Sequence, residues 1–342
     1  ITDSGTLAIT GATTFDSGSA NLTLDQAAST FGSLTITGAA VSVVENAALD
    51  LAGATISGTA SFNSRDNAIT DSGTLAITGA TTFNSGSANL TLDQAASTFG
   101  SLTITGAAVS VVENAALDLA GATISGAASF DSTNHAITDS GTLAITGATT
   151  FNSGSADLTL DQAASTFGSL TITGAAVAVT ENAALDLAGA TISGTASFNS
   201  RNNAITDSGT LAITAATTFN SGSADLTLDE AASTFGSLTI TGANVSVVEN
   251  AAMDLAGATI SGAASFNSTN NAITDSGTLA ITGATTFDSG SADLTLDEAA
   301  STFGSLTITG AAVSVVENAA LDLAGATISG TASFNSRNNA IT

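Results

Sequence analysis

The residues of this chain able to do chemistry are few, and almost all of them are carboxylates. There are 29 Asp and Glu, three Arg, one His, and no Lys, Cys, Trp or Tyr. Asp3, Asp25, Glu45 and Asp50 open a set that recurs every 68 residues. Two carboxylates flanking a cleft can hydrolyse a glycoside. An enzyme acting on acidic sugars also needs cations to hold its substrate, and Arg65, Arg201 and Arg337 supply only one per alternate recurrence. His135 replaces Asn67 at a turn, so a triad or metal site built on it would exist once in the chain. No catalytic, cofactor-binding or metal-binding residue is assigned, and the expectation is a protein that is not an enzyme.

Three further patterns invite chemistry and resolve into simpler readings. Hard oxygen ligands suit calcium, but the Gly-Gly-x-Gly-x-Asp repeat and the EF-hand loop are both missing. Calcium is therefore kept open as a ligand without a site, and no other cofactor is expected. Thr35-Ile36-Thr37 sets two hydroxyls on one strand face, as ice binding requires, with Thr2 and Thr23 on other strands. That pair falls on one coil in three, which makes no continuous ladder. Asn21-Leu22-Thr23 matches an N-glycosylation acceptor, but Asp157, Asp225 and Asp293 remove it in later copies.

The net charge is −26. Nucleic acids and anionic membrane surfaces both demand a basic footprint, so neither is an expected partner. No apolar run is long enough to span a bilayer. The arginines occupy one repeat position in alternate copies, where a solvated charge or a pairing with a neighbouring chain's carboxylates would both fit.

The elements that position these residues are set by a repeat. Ile1, Ile69, Ile137, Ile205, Ile273 and Ile341 open the same phrase. Five 68-residue units result, 1–68, 69–136, 137–204, 205–272 and 273–340, with 341–342 starting a sixth. A fixed period of this kind signals a solenoid whose units bury their apolar faces against one another. The expected organisation is one continuous array over 1–342, a window of a longer repeat protein.

Within a unit, Leu7-Ala8-Ile9, Leu22-Thr23-Leu24, Leu34-Thr35-Ile36, Val41-Ser42-Val43 and Leu49-Asp50-Leu51 alternate apolar and polar, the signature of half-buried strands. Gly, Ser, Asn and Asp between them supply turns. Leu7, Ile9, Phe15, Leu22, Leu24, Phe31, Leu34, Ile36, Val41, Val43, Leu51, Ile56 and Phe62 are identical in every copy, whereas most changes are polar. These identical positions are the expected core, with Ser42 and Val44 outward. Gly recurs at seven fixed corners, and Ala215 takes one of them. That exchange argues that the Gly11 corner does not require positive φ.

The predicted fold is therefore all-β, a parallel β-helix with about three coils per repeat. Coils of about 23 residues leave room for three short strands and three turns each. Rungs about 4.8 Å apart would give about 14 Å per repeat. Absence of Pro agrees, since every interior strand donates its N–H groups to a ladder.

Phrases such as Gly32-Ser33-Leu34-Thr35-Ile36-Thr37-Gly38-Ala39-Ala40-Val41 resemble the repeats of filamentous-haemagglutinin-type exoproteins and autotransporter passengers of Gram-negative bacteria. The likeness runs the length of the chain and is one of style, being Gly- and Thr-rich, Pro-free, Cys-free and acidic. It implies a right-handed parallel β-helix, secreted or at the cell surface, acting as stalk, adhesin or fibre. It carries over no functional residue. The leading expectation is a structural extracellular filament or stalk, self-associating end to end or along its length. A multivalent adhesin for carbohydrate, host, cell or mineral surfaces is the second expectation, and an ice-binding protein the third.

Overall fold

The computed structural model describes residues 1–342 and holds strands, turns and bends without a helix. It comprises two compact units, Ile1–Ala175 and Ala176–Thr342, each a parallel β-solenoid. In the first unit the strand pairs recorded are all parallel, and the chain passes alternately between two ladders. The first ladder stacks Ala12–Asp16, Ser33–Gly38 and Leu49–Ile56, then Ile69–Asp71 together with residues 75–77. It continues through Leu90–Leu92, Val109–Val112, Ala128–Asp131, Ala148–Asn152 and Ser169–Gly174. The second stacks Leu22–Leu24, Val41–Val44, Ala60–Asn63, residues 81–84, residues 101–106 and Leu117–Ile124. Ile137–Asp139 and Leu143–Ile145 follow.

Register fixes the coil count. Thr2 pairs Thr23, then Ser42, Ser61, Thr82 and Thr103 follow rung by rung. Beside Thr103, Leu102 pairs Leu119, and the adjoining Asp118 pairs Thr138. Thr138 is the copy of Thr2 two repeats on. Seven rungs therefore consume two repeats, or three and a half coils each, at about 19 residues per coil. The expected three coils are sharpened accordingly, and the rise per repeat becomes about 17 Å rather than about 14 Å at 4.8 Å per rung. The physical reason is that a coil here has two ladders, not three sides. Each repeat lays down seven crossings, an odd number, on a two-sided frame.

A half-integral count puts successive copies of one sequence on opposite ladders. Ala60–Asn63 lies in the second ladder, while its copy Ala128–Asp131 lies in the first. Ala196–Asn199 and Ala264–Asn267 in the second unit pair in parallel with Ala216–Asn220 and Ala284–Asp288 of the following repeat, as their first-unit copies do with residues 81–84 and Ala148–Asn152.

The core follows the alternation. Leu22, Leu24, Leu34, Ile36, Val43, Leu51 and Phe62 are wholly or almost wholly buried. At roughly 25 cal/mol per Å² of apolar surface, these stripes are the main source of stability. Phe62 stacks on Phe83 with ring centroids 5.3 Å apart, and Phe83 meets Phe99 edge-on at 5.9 Å. Phe62 belongs to one sequence repeat and the other two to the next, so the aromatic cluster bridges the repeat junction. The stretch from Ile56 to Ala68 is as regular as the rest, with Ala60–Asn63 paired on both sides.

Gly79 shows why the corners are glycine. A Cβ there would sit 2.5 Å from the carbonyl carbon of Gly58 on the coil beneath. Its φ is not positive, in agreement with the tolerance of Ala215, so close stacking sets the preference. Gly86, at φ 60, is the other case, a left-handed turn residue.

Candidate functional site

The turns between ladders form two edges. In the first unit, connections from the second ladder to the first include 25–32, 45–48, 64–68, 85–89, 107–108, 125–127 and 146–147. Their stacking is direct. Asn46 N donates to Ser29 O, Ser87 N to Asp66 Oδ1, Ala107 N to Ala88 O, Gly126 N to Ala107 O and Gly147 N to Gly126 O. The opposite edge stacks 17–21, 39–40, 57–59, 78–79, 113–116, 132–136 and 153–157. There Ala39 N donates to Ala20 O, Gly58 N to Ala39 O, and Thr133 Oγ1 to Glu113 O.

Glu45 leads the turn after Val41–Val44 and is wholly buried. Its Oε1 accepts Phe31 N at 2.6 Å, whereas its Oε2 is buried without a partner. Glu113, Glu249 and Glu317 repeat the arrangement with Phe99, Phe235 and Phe303. Burial pushes the carboxyls of Glu45, Glu113 and Glu249 up to about 7, against the smaller opposing pull of the single N–H. Glu317 is raised by the same cause. None of these glutamates is a solvated surface charge, because each lies under the turn of the next coil.

Asp71, Asp139, Asp207 and Asp275, the copies of Asp3, are likewise buried. Asp71 Oδ1 accepts Asp93 N at 2.8 Å and Oδ2 accepts Gln94 N at 3.4 Å, which ties down the loop of the next coil. Burial raises their pKa, with the hydrogen bonds from the loop opposing. Asp50 Oδ2 accepts Ser72 Oγ–H at 2.9 Å. Asp25 and Asp93 are exposed. These carboxylates stitch coils together and do not converge on a cleft, and no three His, Cys, Asp or Glu form a group placed to hold a metal ion.

His135 lies exposed on its turn, its Nδ1 3.0 Å from Ser132 O. Of the Thr pairs, Thr103 and Thr105 have Thr82 with Asn84 on one side and Gly121 with Thr123 on the other. The pair is interrupted at both neighbours. In the second unit an open groove of about 740 Å³ runs beside the edge where its connections narrow, with Ser223, Thr241, Ser261, Thr282 and Thr302 among its lining.

Arg65 occupies a left-handed position, φ 51, in the turn 64–68. Thr133 occupies the same position at φ 48. The half-turn per repeat separates them, so Arg65 lies on one edge and Thr133 on the other. Thr133 is half-buried and its hydroxyl reaches Glu113 O and Asn114 Oδ1 on the coil beneath. Arg65 is exposed; its backbone N–H donates to Asn63 Oδ1 and its carbonyl accepts from Asn67 Nδ2, while its guanidinium makes no hydrogen bond.

The geometry defines a β-solenoid repeat protein. The chain belongs to the family of repeats of unknown function called DUF5649, whose model matches residues 1–37, 38–105, 106–173, 174–241 and 242–310. No curated protein matches the chain, and no solved structure matches it.

Proposed function

We propose that this repeat serves as a structural stalk or filament at the bacterial cell surface or beyond it, without catalytic activity. The carrying observation is that its chemistry is spent on stacking. The wholly buried glutamates, the Asp71-type carboxylates and buried serines such as Ser97 bond backbone groups of adjoining segments. An array of this kind converts residues into length at a fixed rate, because each added repeat meets the same surface as the last. The extracellular setting rests on the resemblance to bacterial exoproteins and on the acidic surface, which keeps neighbouring threads apart.

Length scaling tests the reading. Small-angle scattering on chains of three, five and seven repeats should show the longest dimension growing by about 17 Å per added repeat. Growth with the cube root of chain length would refute it.

A further inference from the structure

The loop between Leu90–Leu92 and Thr98–Gly106 is held by two buried carboxyls, one on the coil beneath it and one on the coil above. From beneath, Asp71 takes two of its N–H groups, Asp93 N on Oδ1 and Gln94 N on Oδ2. From above, Glu113 takes one, Phe99 N on Oε1, and no donor of the chain reaches its buried Oε2. Asp3 and Glu45 bracket 25–31 in the same way. In the second unit Asp207 and Glu249 bracket 229–235, and Asp275 and Glu317 bracket 297–303. Each bracket lies within one unit.

The two clamps differ. Asp71 has a donor on each oxygen, which suits an anion. Glu113 is wholly buried with only one oxygen served. Its ionised form would leave charge on an oxygen that faces no donor, the costly case for a buried group. Its neutral form keeps the bond from Phe99 N and carries the proton on Oε2. The ionisable groups on the elements packed around it are Asp93 on the loop, Asp71 beneath, Asp131 and His135 on the coil above, and Asp118 further along its own coil. None of them hydrogen-bonds the Glu113 carboxyl. Around Glu45 the corresponding groups are Asp25, Asp3, Arg65, Asp66 and Asp50, and again none bonds the carboxyl. Burial accordingly raises both glutamates to about 7.

The backbone of Glu113 is fixed to the coil above. Its N–H donates to Asp131 O at 2.8 Å and its carbonyl accepts from Thr133 Oγ1 at 2.9 Å. Losing the side-chain bond therefore frees the loop end and not the glutamate. Asp93 and Gln94 stay tied to Asp71, so the loop has a fixed end and a releasable one.

We propose that these glutamates are pH-sensitive latches: the neutral carboxyl clamps the loop beneath it at the Phe amide, and ionisation releases that loop end while the Asp71-type clamp and the strand ladders stay in place. Release opens the Phe99 amide to water, beside the ring that meets Phe83 edge-on. Glu45 and Glu113 fall on opposite edges of the first unit, so both of its edges loosen together. The closed state holds the proton more tightly than the open one, where the carboxyl returns to its ordinary 4.5. Opening is therefore suppressed about tenfold for each unit that pH falls below 7, and is constant above it. This device goes beyond the stalk reading, and its failure would leave the length scaling of the chain untouched.

Hydrogen exchange of the full chain from pH 5 to pH 8.5, corrected for the intrinsic pH dependence of exchange, tests it. Peptides spanning the loop ends at Phe31, Phe99, Phe235 and Phe303 should gain about 100-fold in protection from pH 7 to pH 5. Peptides of strands such as Val41–Val44 should keep theirs. Glu45→Gln/Glu113→Gln/Glu181→Gln/Glu249→Gln/Glu317→Gln should show loop protection that is constant with pH. A wild-type loop whose protection does not change with pH overturns the proposal, whether or not the variant folds. So does a folded variant with the wild-type pH profile. Loops and strands that lose protection in step would also overturn it, because whole coils would then be unfolding.

Discussion

Replacing the buried glutamates by glutamine should remove most of the pH dependence of stability around neutral pH. Each carboxyl has an ordinary value of 4.5 and is pushed to about 7 at Glu45, Glu113 and Glu249. The folded-state value is the higher one, so the folded protein holds the proton more tightly than the unfolded chain. The stabilisation is full below pH 4.5 and is lost as pH rises through 7. A shift of about 2.5 units at about 1.36 kcal/mol each amounts to roughly 3 kcal/mol per glutamate at alkaline pH. Glu113→Gln is neutral at every pH, and its amide oxygen can still accept Phe99 N. Its NH2 takes the place of the unpartnered Oε2, which costs about 1–3 kcal/mol. At pH 5 the variant should therefore be less stable than the wild type. At pH 8.5 it should be level with it or up to about 2 kcal/mol more stable, the 3 kcal/mol relief less that cost. The assay is urea denaturation across this range, joined to hydrogen exchange at the Phe99 amide, which reads the local opening of one coil. Changing the five buried glutamates, Glu45, Glu113, Glu181, Glu249 and Glu317, should flatten the slope around pH 7 and leave the part due to Asp71, Asp139, Asp207 and Asp275, whose carboxyls burial also raises. A wild-type stability that is flat from pH 5 to 8.5, or a five-fold variant with an unchanged slope, would refute the reasoning.

Other substitutions probe the stacking itself. Phe83→Ala removes a wholly buried ring between Phe62 and Phe99 and should cost about 3–5 kcal/mol; urea midpoints will show it, and a loss under 1 kcal/mol would contradict the aromatic bridge between repeats. Ser97→Ala strips the acceptor of Leu75 N, 3.0 Å away and buried, so a loss of about 1–3 kcal/mol and faster exchange at the Leu75 amide are expected. Val43→Asp puts a carboxylate at a wholly buried position; protease resistance around that coil should collapse, and unchanged resistance would overturn the inward assignment. Gly79→Val, at a corner where even a Cβ lies 2.5 Å from the coil beneath, should lower the melting temperature, and an unchanged melting temperature would contradict the close stacking of that corner.

Much of this fold is legible in the residues. Alternation at Leu22-Thr23-Leu24 or Val41-Ser42-Val43 names both the strand and its buried face, because side chains on a strand alternate strictly between the two sides. Identity among copies adds to it, since an inward Leu or Phe has no room to drift. The same signal marked Glu45 and Asp3. Both are identical in every copy, while half-buried Gln26 becomes Glu230, yet an acidic residue invites the assumption of solvent. Burial of Glu45 depends on the next turn closing over it, and that turn belongs to a different part of the repeat. Coil count was hidden for a related reason. Strand lengths and spacings fit three coils of three sides about as well as three and a half coils of two, and the rung-by-rung register from Thr2 to Thr138 separates them.

That half coil changes what a tandem repeat can encode. With a whole number of coils, every copy of a residue would fall on one side, and five identical copies would paint one stripe. With three and a half, identical copies paint two stripes on opposite sides, so a uniform sequence makes a two-faced solenoid with like faces. Asymmetry between its edges then requires the sequence to alternate, and positions 59 and 65 do so in all five copies. The other changes do not keep that rhythm. Asn21 and Asn89 give way to Asp157, Asp225 and Asp293, a change in one block. Within the second unit Arg201 and Arg337 lie on one edge and Thr269 on the other, where its hydroxyl bonds Glu249 O, so the alternation gives the two edges different side chains at an otherwise identical turn.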